Sequence, residues 1–448
     1  MTDRLQDLTA ALLAAAARAG APAADAIAVD GRAISIDVRH GALEQAERSE
    51  GVEVGLRVLI GGRQACVSAS DISPRTLQEM AERAVAMARE APEDPFAGLA
   101  DPAELAQGWD AAALALADPA PEPAAETLQE DARRAEASAL AVAGVAQVQS
   151  ASASFSRRNL FFAASNGFAG GYARSSRSVS AVAISGEGSQ MERDWAAEAR
   201  TFQADLPSPE SVGTLAGQRA VERQGARRPP TGAFPVLYDE RIAASLIGHL
   251  LGAINGASIA RGASWLLGAI GAEVLPPGLS IIEDPHRPRI SSSRPFDAEG
   301  LATRRRAIVD AGVLTGWTLD LATARKLGMQ STASASRGTS SPPSPGISNI
   351  ALTQGPKSRQ DLLRDMGTGL LVTSLIGSSI NPTTGDYSRG ASGFWVQDGE
   401  IVWPVNECTV AGNLRDMLRR ITPANDARAH LSHVVPSLLV EGLMLAGS

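Results

Sequence analysis

Apolar residues recur at helical spacing in several stretches of the first half of the chain. Leu5, Leu8, Leu12 and Ala15 share one stripe, which predicts a helix over residues 3–19. Ser73-Pro74 opens a second helix that runs to about Arg89, with proline in the first turn, where its missing N–H costs nothing. Helical spacing returns over Thr127–Val142, and again over Ser208–Arg223, which starts at Ser208-Pro209. Strand-like runs lie between them: Ala26–Asp30, Ala33–Arg39, Val52–Ser70, Val148–Phe155, Leu160–Ala164 and Gly170–Gly188. Gly61-Gly62 breaks Val52–Ser70 as a hairpin signal, and Asn166-Gly167 marks a turn.

Residues 92–125 are rich in Pro, Ala and acids and read as an extended surface connection. A boundary falls in Gln224–Pro230, beyond which most of the Gly-punctuated apolar strands lie. The pattern predicts an α+β chain in two parts. Residues 1–224 form an N-terminal helix-flanked sheet domain with the extended connection at about 92–125. Residues 229–448 form an antiparallel β-rich domain, a sandwich or barrel-like core. No fixed-period repeat is present, which excludes solenoids and propellers.

One hairpin can be drawn residue by residue. Phe394 to Trp403 turns at Asp398-Gly399 in a type I′ turn, so Gln397 faces Glu400 and Val396 faces Ile401. Phe394, Val396, Ile401 and Trp403 are the expected buried face. Trp395, Gln397, Glu400 and Val402 are the other.

Composition narrows the function. The 448 residues carry 41 Lys+Arg against 49 Asp+Glu, a net charge of −8. That balance disfavours a general nucleic-acid binder or an anionic membrane surface as partner. The 44% of apolar residues excludes wholesale disorder. Cys66 and Cys408, far apart, exclude a disulfide scaffold and a four-cysteine zinc site. The apolar windows at 243–260 and 436–447 are broken by His249 and Asn255, and by Glu441. The opening residues lack the basic start and unbroken apolar run of a secretory signal, so the expectation is a reduced, cytoplasmic protein.

Motif chemistry is mostly absent. There is no phosphate-binding Gly-x-x-x-x-Gly-Lys-Ser/Thr loop and no Gly-x-Ser-x-Gly nucleophile elbow. No two of His40, His249, His286, His430 and His433 have zincin spacing. His249 lies on a stripe with Ile242, Leu246 and Ala253, on a helix that Asp239 can cap. A core histidine and a ligand both fit that position. Asp297-Ala298-Glu299-Gly300 supplies paired carboxylates. They suit either acid/base chemistry or a turn whose Asp accepts backbone N–H groups.

Read in order, several segments resemble the TldD/PmbA (TldD/TldE) family over nearly the whole chain. They are Ser165–Gly170, Pro235–Asp239, Asp284-Pro285, Pro295–Gly300, Gly312–Leu314 and Ser348–Ile350. Asn381–Ala391, Gly393–Trp395 and Thr409–Leu414 complete the series and look like the PmbA (TldE) branch. The resemblance implies a two-chain bacterial peptidase system acting on unfolded peptides. In that system the TldD chain carries a His-Glu-x-x-x-His zinc motif on a helix. Laid on this sequence, the motif falls on Ala244–His249. His249 is the surviving position, Ala244 replaces the first histidine and Ser245 replaces the glutamate. The later cysteine ligand falls near Ser437, and Cys408 is not its match.

A catalytic zinc needs about three protein ligands and an activated water. The expectation is therefore a chain with no catalytic residue, no metal and no cofactor of its own, whose TldD-like partner supplies zinc. The resemblance makes His249, Asp297, Glu299, Arg337 and Asn349 the candidate peptide-cleft residues. In the family the loop comparable to Ser336–Ser348 lies near the peptide-binding cleft, and here Pro342, Pro343 and Pro345, which cannot donate to a ladder, with Gly338 and Gly346 predict a mobile surface loop that orders when peptide or partner binds. Two further readings stand beside it: a gyrase-modulator type of binding protein, and an independent hydrolase using Asp297 and Glu299. A homodimer in the absence of the partner is left open.

Overall fold

The computed structural model describes residues 2–447 as an α+β structure. The first half holds β1 (Ala23–Arg39), β2 (Ala42–Ile60), β3 (Arg63–Ala69), β4 (Val145–Ala164), β5 (Ala169–Ser185) and β6 (Glu192–Arg200). They make one antiparallel sheet in the order β3-β2-β1-β4-β5-β6. Its helices are α1 (Thr2–Arg18), α2 (Pro74–Glu90), α3 (Ala125–Leu140) and α4 (Pro209–Glu222). Both helices start at Ser-Pro as read, and each serine caps its helix: Ser73 accepts from Thr76 N–H and Ser208 from Ser211 N–H.

The strands are longer than the alternation suggests, because the runs around Gly31 and Gly51 join into single strands paired with each other. This length lets two helix pairs share one face of the sheet. Ala24, Ala26 and Ala28 of β1 lie under α1 and α2, while Ile34, Ile36 and Val38 of the same strand lie under α3 and α4. All are even-numbered, so they point to one side of the pleat. The β1–β2 turn, His40-Gly41, is held from α3, where the buried Glu136 carboxylate accepts both backbone N–H groups at 2.6 and 2.8 Å. The odd-numbered face turns to the second half: Ile27, Phe162, Ala164 and Phe168 pack with Phe296.

In the second half, β7 (Gly232–Tyr238) leads through α5 (Glu240–Ala253) and α6 (Gly256–Ala260) to a small sheet. That sheet holds β8 (Ile281–Glu283), β9 (Arg306–Asp310), β10 (Val313–Leu314), β13 (Ile350–Leu352) and β18 (His433–Val434). Between them lie α7 (Leu321–Lys326) and the two-residue pair β11 (Ala335–Ser336) and β12 (Ser344–Pro345). After α8 (Arg359–Met366) come β14 (Gly369–Ile380), β15 (Asp386–Gln397), β16 (Glu400–Asn413), α9 (Leu414–Leu418), β17 (Ile421–Pro423) and β19 (Leu438–Ala446). The order β16-β15-β14-β7-β19 closes through pairing of β16 with β19, so the barrel alternative holds over the sandwich. Its β7–β14 contact is parallel, which the long helical crossover between them permits. Leu246, Ile247 and Leu250 of α5 pack in one cluster with Val236, Leu370, Val372 and Val440 of the barrel.

Gly393 shows how tightly this barrel is built. A Cβ there would stand 1.9 Å from the Leu371 carbonyl oxygen on the neighbouring strand. Gly393→Ala is expected to cost about 1–3 kcal/mol, the usual scale of forced overpacking. Urea unfolding of the variant checks it, and an unchanged midpoint would contradict the packing described.

Three expectations need correction. The Phe394–Trp403 hairpin has the expected turn, with Asp398 and Gly399 at φ 54° and 80°, and the expected Val396–Ile401 and Gln397–Glu400 pairs. One step further, Trp395 pairs with Trp403, so Val402 is an extra residue in a bulge. The bulge shifts the alternation: Ile401 is 46% exposed, while Trp395 is buried and stacks on Trp403 at 5.7 Å. Strand β15 is covered on both faces, Phe394 and Val396 by α8 and Trp395 by the main core.

The second correction concerns the connection over 92–125, which is extended but not superficial. Ala100, Ala106, Leu114 and Leu116 are buried. Ala106 N–H bonds the Gly300 carbonyl at 2.8 Å, and Trp109 meets Phe296 edge-on at 4.9 Å. The third concerns the Ser336–Ser348 loop, which is not wholly at the surface, because Arg337 and Thr339 dock on the first-half sheet. Arg337 pairs with Asp25, the Thr339 hydroxyl donates to Glu53 at 2.5 Å, and the Thr339 backbone lies where a side chain on Gly55 would be.

Candidate functional site

Two places carry the residues singled out in the sequence. The first is α5. Asp239 caps it by accepting from Arg241 N–H at 3.2 Å, which sets the helix that carries positions 244, 245 and 249. His249 meets Tyr387 edge-on at 5.8 Å, and its buried Nε2 has no hydrogen-bond partner. Burial, and then the charge of Arg389, lowers its pKa, so the ring is held neutral.

The remaining positions offer little to a metal. Ala244 has no donor atom. The Ser245 hydroxyl is spent on the Ile242 carbonyl at 2.7 Å, and the Ser437 hydroxyl on Asp426 at 2.7 Å. One imidazole with no carboxylate base does not fit a catalytic zinc centre. Among the described residues, no group of three or more His, Cys, Asp or Glu side chains is placed to share a metal.

The second place is a cavity of about 280 Å³ between the odd-numbered face of the sheet and the second half of the chain. Asp297 and Arg337 both line it, and His249, Glu299 and Asn349 do not. Asp297 is a turn residue. Its Oδ1 accepts from Glu299 N–H and Leu301 N–H at 2.9 and 3.0 Å, and its Oδ2 accepts from Ala335 N–H at 3.0 Å. Both oxygens therefore hold backbone, which is the turn arrangement and not a free acid/base pair. Burial pushes the Asp297 carboxyl up, against the pull of those three donors.

Glu299 is also buried and accepts from Leu321 N–H at 2.9 Å. Burial, then the charges of Asp297 and Asp320, raise it well above the ordinary glutamate value. Asn349 is buried behind the cavity, where its Nδ2 donates to the Ser293 hydroxyl at 2.6 Å and the Asp284 carbonyl at 3.0 Å.

Arg337 reveals residues that the sequence reading missed. Its guanidinium reaches across to Asp25 of β1, which sits directly opposite Arg57 of β2 in the sheet register. Arg57 Nε donates to Asp25 Oδ2 at 2.7 Å. Asp25 is fully buried and Arg57 is 3% exposed. The sequence does hold a signal: Asp25 stands alone in Ala23–Ala28 and Arg57 alone between Leu56 and Val58. Lone charges inside apolar runs of strands covered on both faces must find each other. Arg294 was missed too. It lines the cavity and is 8% exposed, and its Nη atoms donate to the carbonyls of Ala335 and Gly346.

The sheet thus carries helices on one face, and its other face is set against a second half whose barrel packs against α5. PmbA/TldA metallopeptidase domain 1 matches residues 24–88, the central domain 118–224 and the C-terminal domain 231–447. The chain belongs to the PmbA/TldD metallopeptidase family. It is 37% identical over 415 residues to Metalloprotease PmbA of Escherichia coli O157:H7, covering 92% of this chain and 90% of that one. It is 35% identical over 441 residues to a Metalloprotease PmbA homolog of Haemophilus influenzae, covering 97% and 94%. A Bacteroides thetaiotaomicron crystal structure, described as a candidate modulator of DNA gyrase, superposes with TM-score 0.91 at 26% identity, covering 100% and 99%. TldE from Thermococcus kodakarensis shares the fold, with TM-score 0.86 at 20% identity, covering 98% and 100%.

Proposed function

We propose that this chain is a non-catalytic, TldE/PmbA-like subunit of a peptidase complex acting on unfolded peptides, with zinc supplied by a TldD-like partner. The observation that carries the reading is the donor set on α5: His249 alone, with Ala244 and Ser245 where a second imidazole and a base would stand. The family membership supports peptide as the substrate class. The cavity beside the Ser336–Ser348 loop supports the reading of a peptide cleft on this chain. No described helix is long and apolar enough to cross a membrane, and a cytoplasmic complex is part of the proposal.

The test is co-expression with a homologue that carries His-Glu-x-x-x-His. The two chains should co-purify, digest an unfolded peptide together, and lose digestion when either is omitted. The pure chain should contain no stoichiometric zinc that His249→Ala removes. Digestion by the pure chain would sink the proposal. The likeness to a candidate modulator of DNA gyrase supports a second reading, a regulatory protein acting on another protein. Recovery of gyrase without a zinc-bearing homologue would favour it.

A further inference from the structure

The segment between α6 and β8 carries an apolar tip at the surface, where Leu267 and Ile270 are exposed. Its base is fixed. Trp265, Leu266 and Val274 are buried in the main core of the second half. Gly271 N–H bonds the Leu314 carbonyl at 2.8 Å, and Leu314 N–H bonds the Ala272 carbonyl at 3.0 Å.

Two arginines at α9 stand against this segment. Arg415 and Arg419 are four apart, so helical spacing brings them to one side. Arg415 Nε donates to the Trp265 carbonyl at 2.8 Å, and its Nη2 donates to the same oxygen. Arg419 Nε donates to the Glu273 carbonyl at 3.0 Å. Together the segment and the two arginines enclose a pocket of about 180 Å³, whose apolar wall includes Trp265, Leu266, Leu267 and Val274. Both arginines line it, both are exposed, and no carboxylate lines it. Glu273 and Asp416, the acids adjacent in sequence, are exposed outside that wall. Among the described residues, neither arginine has an ion-pair partner, and Arg415 Nη1 and Arg419 Nη1 and Nη2 have no acceptor. Each guanidinium is therefore held in place by a carbonyl and keeps free donors at the pocket. Such anchoring lowers the side-chain entropy that binding would otherwise cost.

We propose that this pocket docks an acidic segment of another polypeptide, one with an apolar side chain flanked by carboxylates. The carboxylates meet Arg415 and Arg419, and the apolar side chain enters beside Leu267. Charge and size select this occupant. Planar carboxylates match guanidinium edges, which neutral amides replace poorly. The pocket lies below the usual range for small-molecule sites, which suits a single side chain. An anionic lipid surface would also offer negative charge, but the net charge of −8 opposes it. The inference makes no use of the peptidase reading, and the pocket is separate from the cavity that holds Asp297 and Arg337.

Isothermal titration of the whole chain tests it with N-acetylated Gly-Asp-Leu-Asp-Gly amide. Two control peptides accompany it, one with both Asp changed to Asn and one with Leu changed to Gly. The Asp-Leu-Asp peptide should bind at least tenfold more tightly than either control. Leu267→Ser, at an exposed position, should lower its affinity at least tenfold with unchanged circular dichroism. Arg419→Gln should do the same, and Leu267→Ser with the two controls decides if that variant does not fold. No binding of the Asp-Leu-Asp peptide, equal binding of the Asn-Leu-Asn peptide, or full affinity in Leu267→Ser would overturn the proposal. Phosphatidylglycerol vesicles that bind the chain through Arg419 while the peptide does not would assign the pocket to a lipid surface and overturn it as well.

Discussion

Replacing Asp25 with alanine is expected to lower the unfolding free energy by about 3–5 kcal/mol at neutral pH, the scale for breaking a buried ion pair from one side. Among the described residues, Asp25 is the only carboxylate that pairs with Arg57 and Arg337. Without it, two guanidiniums remain buried, one on the sheet and one on the loop packed against it. Burial alone would raise the Asp25 carboxyl, but the charges of Arg57 and Arg337 and their hydrogen bonds outweigh it and hold it below the ordinary value. A carboxyl lowered on folding stabilises above its unfolded pKa, and that contribution fades as pH falls through the folded value. The gap between the native chain and Asp25→Ala should therefore narrow in acid. Urea unfolding at neutral and acidic pH measures it. A second arm checks the cause: Asp25→Leu with Arg57→Met and Arg337→Met should recover most of the loss, because a neutral packed trio replaces the ion cluster. An Asp25→Ala chain as stable as the native one at neutral pH would show that the cluster holds nothing together.

The legible parts of this protein are those fixed by local chemistry. Helix starts at Ser73-Pro74 and Ser208-Pro209, and the cap at Asp239, need only the neighbouring residues, and all three form as read. The Asp398-Gly399 turn and its first two pairs follow from positive φ at both central positions. What escaped depends on distant partners. The Val402 bulge inverts a face only because β15 is covered on both sides within the closed barrel. Strand length across Gly31 is set by β2 and β4 on either side, not by the alternation within β1. The surface reading of residues 92–125 failed because Phe296, far along the chain, covers Trp109 and Ala106. In the candidate site, Asp297 and Arg337 were visible and do share a cavity. Asp25 and Arg57 stand out as lone charges in apolar strands, but only the sheet register that sets them opposite each other declares their meaning, and Arg294, in a loop, carries no such signal.

Glu299→Gln is expected to change the pH dependence of stability in a direction opposite to that of Asp25. Glu299 is 5% exposed, and burial first, then the charges of Asp297 and Asp320, raise its carboxyl well above the ordinary value. Asp320 cannot move away, because it caps α7 by accepting from Thr323 N–H at 2.8 Å. A carboxyl raised on folding binds its proton more tightly in the folded state. Its contribution is fully present below the unfolded value, ~4.3 for glutamate, and is lost as pH rises through the folded value. Glutamine keeps an oxygen for the Leu321 N–H, which Glu299 now serves at 2.9 Å, and has no proton to lose. The variant and the native chain should therefore melt at similar temperatures in mild acid. The variant should become the more stable of the two as pH rises through the raised Glu299 value. Thermal unfolding followed across that range reads the difference directly. Curves that stay parallel would mean that Glu299 is ionised throughout, and that its burial does not favour the proton.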